Sequence, residues 1–172
     1  AYVTYNFNWG YWEEIGGFKD SLFNKCLEKA ETSDAVKYII IYINLKIEQG
    51  TFFEAKRLIS RIFEIGESFD SELNTQAAID CKATLLLMQR KCHEARIEAE
   101  ISRNLSEKHS TLMKISALGR EAEALILLGK VEQAMKYIEQ AKDIAKKTKF
   151  TPRYFLVPYL VSQFMVYVHM LR

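Results

Sequence analysis

Gly50-Thr51-Phe52-Phe53-Glu54-Ala55 and Gly129-Lys130-Val131-Glu132-Gln133-Ala134 share one skeleton: a glycine, an apolar residue two places on and an alanine five places on. Two more turns fall into the same register, at Gly16 and Arg90, so the four are separated by 34, 40 and 39 residues. The apolar place is filled by Phe18, Phe52, Cys92 and Val131, and the small place by Ser21, Ala55, Ala95 and Ala134. Counting back from each turn by eleven, seven and four residues gives Tyr5/Trp9/Trp12, Ile39/Ile43/Lys46, Ile79/Ala83/Leu86 and Leu118/Ala122/Leu125, apolar throughout except at Lys46. Steps of four and three place each trio on one face of a helix. The small residue after the turn lets a second helix approach the first closely. The repeating unit is a helical hairpin.

Composition agrees. Seven glycines and two prolines in 172 residues fall well short of the roughly 12% of an average soluble chain, which excludes a turn-rich β fold. Caps are expected at Ser33-Asp34 before Ala35–Glu48, within Glu67–Ser71 before a run to Gln89, and at Ser110-Thr111 before a run to Leu128. The short intervening loops make neighbouring helices antiparallel.

These residues resemble the tetratricopeptide repeat (TPR) family, in the variant with a long spacing of about 39–40 residues. The likeness continues into the second helices, at Ile59 and Ile62 after Gly50 and at Ile138 and Ala141 after Gly129. The third unit has Arg90 in place of the turn glycine and carries Glu98 and Ser102 where core residues are expected; the first unit's second helix is shifted, reading Leu22, Phe23, Cys26, Leu27 and Ala30. The resemblance implies an all-α, right-handed α-solenoid of about four hairpins plus one helix, in a single domain over 1–172, with units at about 2–31, 33–69, 71–108 and 110–148 and a last helix at 152–172. Long-spaced repeats of this kind occur both in bacterial regulators of the maltose-regulator type and in eukaryotic scaffolds, and both remain open.

The register continued forward places a fifth first-helix trio at Val157, Val161 and Phe164, with Thr151-Pro152 as its opening and Pro158 as a kink or a later start. The apolar stretch Tyr154–Leu171 is interrupted by Pro158, Ser162, Gln163 and His169, so it reads as a core helix rather than a membrane span. Its second helix is missing, and the expectation is a fragment of a longer chain whose C-terminal helix packs on further repeats or on another chain.

Net charge is +2 with no basic tract, which disfavours nucleic acid. Cys26, Cys81 and Cys92 form an odd, unpaired pattern suited to a reducing compartment, so the expected location is the cytoplasm, or the nucleus in a eukaryote. His93, His109 and His169 stand apart with no metal-ligand spacing, and no phosphate loop or nucleophile motif occurs. Glu13-Glu14 and Glu121/Glu123 read as solvated pairs. No enzyme, metal or cofactor is expected. Tyr5, Trp9 and Trp12 fit the core better than a ligand cage. Lys142, Lys146, Lys147, Lys149 and Arg153 fit the negative end of a helix, with an acidic-peptide site as the other reading.

The resemblance implies a protein–protein interaction scaffold that takes a peptide or helix on a concave face. The contacting positions carried onto this register are Asn6, Glu13, Lys37, Asn44, Asp80, Thr84, Ser116 and Glu123. Lys37 and Asn44 alone are too few for the clamp that grips chaperone tails. The alternative is a ligand- or peptide-sensing segment of a signalling or transcription regulator.

Overall fold

The computed structural model describes residues 11–29, 31–149 and 151–171, without the side chains of Trp12 and His109. Tyr5, Asn6, Trp9, Ala30 and Arg172 lie outside the described residues, as do those two side chains. Among the described residues there are eight α-helices, a 3-10 turn at Trp12–Ile15 and no strand. The helices are α1 Asp20–Glu28, α2 Thr32–Glu48, α3 Phe52–Ser68, α4 Glu72–Met88, α5 Cys92–His109, α6 Thr111–Leu127, α7 Val131–Lys147 and α8 Arg153–Met170. The chain divides into two compact units, Ala1–Cys81 and Lys82–Arg172.

All four aligned turns have a residue with positive φ at the place the register marks: Gly16 at 71°, Gly50 at 72°, Arg90 at 61° and Gly129 at 75°. The last three end their helices with the same pair of hydrogen bonds. Gly50 N–H donates to Ile47 O and Thr51 N–H to Lys46 O; Arg90 and Lys91 donate to Leu87 and Leu86; Gly129 and Lys130 donate to Ile126 and Leu125. This is the Schellman turn, and it requires a left-handed residue at its centre. A side chain there costs about 1–2 kcal/mol, of which glycine's looser unfolded chain takes back part. Arg90→Gly is therefore expected to raise Tm by about 1–3 °C; no rise in a thermal melt would mean that the Arg90 side chain is stabilising enough to offset the strain.

In the first unit α2 packs on α1 and on α3. Ile39 and Ile43 are fully buried, as is Ala55, the small residue after the turn. Lys46, the polar exception of its trio, reaches across the turn to Glu54 at 2.8 Å. Phe18, Phe23, Tyr38 and Tyr42 form an aromatic cluster with centroids 5.0–5.7 Å apart, and the Arg61 guanidinium lies 4.2 Å over the Phe23 ring while pairing with Asp20. The first turn departs from the register, because α1 begins four residues after Gly16 rather than two, which leaves Ser21 exposed and buries Phe23.

In the second unit α6 packs against α5, α7 and α8 at once, and α8 also meets α7. Leu118, Ala122 and Leu125 are buried against Ala134, Ile138 and Ala141 of α7, with Val166 of α8 closing the cluster. α8 runs unbroken from Arg153 through Pro158, with Pro152 rather than Thr151 in the cap position and no side-chain cap bond. Ser110 caps α6 by accepting from Met113 N–H at 3.3 Å, and Ser71 accepts from Asn74 N–H at 3.4 Å, as the sequence led one to expect. Ser33 and Asp34 instead fall inside α2, whose cap position is Glu31; Asp34 sits in the first turn, where its charge suits the helix dipole.

Candidate binding surface

In the first unit Glu13 is exposed in the 3-10 turn, and Lys37 is exposed on α2, paired with Asp34 at 3.0 Å. Asn44, half-buried two turns further on, donates its amide to Ile40 O at 2.9 Å, which leaves its carbonyl oxygen for other use. Asp80 is only 3% exposed. In the second unit Ser116 is fully buried, whereas Thr84 and Glu123 are half-buried.

Arg120 joins the residues of the second unit. Its Nε donates to Thr84 Oγ1 at 2.6 Å and its Nη1 to Ser116 Oγ, and the residue is only 5% exposed. Sequence reasoning passed over it, although an arginine amid an apolar register, one turn after Ser116, was a usable signal. Burial of this order needs several hydrogen bonds to offset desolvation. The polar partner contacts expected of Ser116 are thus made inside the protein.

Glu121 and Glu123 do not form a solvated pair. Glu121 is fully buried and accepts from Arg103 Nε at 3.0 Å. The reason is that α6 is covered by three helices and has little surface to give to water. Burial pushes the Glu123 carboxyl above its ordinary 4.5, against the pull of Arg120 and Arg90. A carboxyl whose folded pKa is raised contributes stability that is complete below the unfolded value and is lost as pH rises through the folded one. Glu123→Gln should therefore leave Tm unchanged near pH 4 and raise it at pH 7.5; an equal shift at both pH values would show that the carboxylate is not the cause.

Lys146, Lys147, Lys149 and Arg153 are exposed around the end of α7 and the start of α8. Two open clefts of about 210 and 430 Å³ lie beside Phe23, Arg61 and Phe69 and beside Ser106, Thr111 and Lys114. Cys26 and Cys92 are half-buried and Cys81 is buried, and none of the three is in a disulfide. Among the described residues no group of three His, Cys, Asp or Glu could hold a metal ion, and no helix is long and apolar enough to cross a membrane. No protein-family model, curated protein or solved structure matches this chain.

Proposed function

We propose that the chain is a TPR-like, non-catalytic interaction scaffold whose hairpins stack in a right-handed solenoid, and that it binds an extended peptide or a helix of a partner along its first helices. The observation that carries this reading is Glu123: a half-buried carboxyl, costly to keep charged, at a contacting position of the register and flanked by Arg120 and Arg90. Groups that cost stability concentrate at functional sites. The packing of α6 on the second helix before it, on its own second helix and on the next first helix supports the repeat reading. The binding residues on this view are Lys37 and Asn44 in the first unit, and Thr84 and Glu123, with Arg120 positioning them, in the second. Asp80 and Ser116, being buried, contribute from beneath.

The test is a peptide selected against the chain from a displayed random library, its affinity then measured by calorimetry. Asn44→Ala and Glu123→Gln are each expected to weaken it about tenfold, equivalent to 1.4 kcal/mol, without lowering Tm. Unchanged affinity in both variants would place binding on another face.

A further inference from the structure

Two faces of α8 meet different environments. Pro158, Ser162 and Val166 are buried. Val157, Val161, Phe164, Val168 and Leu171, spaced alternately by four and three, are 51, 41, 67, 37 and 88% exposed. Apolar residues at this alternation form the seam on which a second helix lies in a coiled coil. The chain itself shows what covers such a seam. Thirty-nine residues earlier, Leu118, Ala122 and Leu125 hold the places of Val157, Val161 and Phe164, yet they are 0, 0 and 3% exposed because α7 lies over them.

Charge narrows the occupant. Residues 144–172 hold no Asp or Glu but carry Lys146, Lys147, Lys149, Arg153 and Arg172. Arg153 stands on the seam one turn before Val157. A second copy of the chain would bring two such uncompensated basic segments together, which like-charge repulsion opposes. We propose that the exposed face of α8 is a docking site, separate from the surface proposed above, for an amphipathic partner helix with a heptad-spaced apolar stripe and an acidic flank over Arg153.

Two capped synthetic peptides serve as probes: the α7 sequence 131–147 unaltered, and the same sequence with its four lysines (136, 142, 146 and 147) changed to glutamate. Both carry the stripe Val131, Ala134, Ile138, Ala141, and they differ only at those four side chains. The acidic peptide is expected to bind the 172-residue chain at least about tenfold more tightly, with a preference that shrinks as salt is raised. Phe164→Glu should abolish binding at unchanged Tm, since Phe164 is 67% exposed, and Arg153→Glu should erode or invert the preference. Equal binding of the two peptides, binding of neither, or a concentration-dependent dimer of the chain that Phe164→Glu dissociates would each overturn the proposal.

Discussion

Gly119→Ala is expected to destabilise the second unit by about 3 kcal/mol, lowering Tm by about 6–12 °C, although alanine is the better helix former by about 1 kcal/mol. A Cβ on Gly119 would stand 2.3 Å from Tyr159 N, 2.6 Å from Pro158 C and 2.8 Å from Tyr159 Cα. All three are backbone atoms of α8, so no rotamer change relieves the overlap and the helix itself must retreat. The close approach also brings Ser162 Oγ to 2.7 Å from Gly119 O, and that bond would be stretched with the rest. Pro158 belongs to the same device. It lacks an N–H, so none is stranded at the crossing, and its carbonyl lies 2.9 Å from the Ser162 hydroxyl. Gly66→Ala is the control: the nearest atom there is Thr75 Oγ1 at 2.4 Å, the end of a side chain, with Thr75 N next at 3.1 Å. Its cost should be nearer 1 kcal/mol and partly removed by adding Thr75→Ala. A Gly119→Ala variant that melts at or above the wild-type temperature would refute the packing of α6 on α8.

How much of this could be read beforehand depends on range. The turns at Gly50, Arg90 and Gly129 were legible because a Schellman turn states its requirement in one residue, and these three recur at intervals of 40 and 39. Even Arg90, the substituted member, was found by register, and its φ of 61° follows from the motif rather than from its own preference. The small residues Ala55, Ala95 and Ala134 were legible for the same reason, since contact within a hairpin spans few residues. Contacts between hairpins left no such mark. Gly119 looked like any glycine inside a helix, and its meaning depends on Pro158 and Tyr159, some forty residues away. The acidic residues of α6 were misjudged on similar grounds. A charged residue on a helix is usually solvated, but Glu121 is an interior group, met by Arg103 of α5 and Tyr137 of α7. The register names positions but not their exposures: Asp80 and Ser116, which the resemblance marks as contacting, are covered in the structure.

Arg103→Ala is expected to cost about 3 kcal/mol, because it strands the carboxylate of Glu121 in a place that water does not reach. Glu121 has no exposed side-chain surface, and Arg103, its side chain 21% exposed, donates from Nε to Glu121 Oε2 from the neighbouring α5. The same guanidinium lies 6.0 Å from the Tyr137 ring of α7, so one cation touches the second helix of one hairpin and both helices of the next. Removing both charges is a different experiment from removing one. Ion pairs in protein interiors contribute little net stability once desolvation is counted, and well-packed apolar replacements of similar volume are often neutral. The pair Arg103→Met with Glu121→Leu should therefore recover most of what Arg103→Ala loses, which a double-mutant cycle in denaturant would report as strong coupling. What the pair supplies is a definite alignment of α5 on α6: an apolar contact tolerates a slide of one helix along another, whereas this hydrogen bond, 3.0 Å long, does not. The doubly apolar variant is accordingly expected to match the wild type in melting temperature while showing faster amide hydrogen exchange along α5. Equal losses from the single and the double substitution would mean that Glu121 finds compensation elsewhere and that the pair does not align the hairpins.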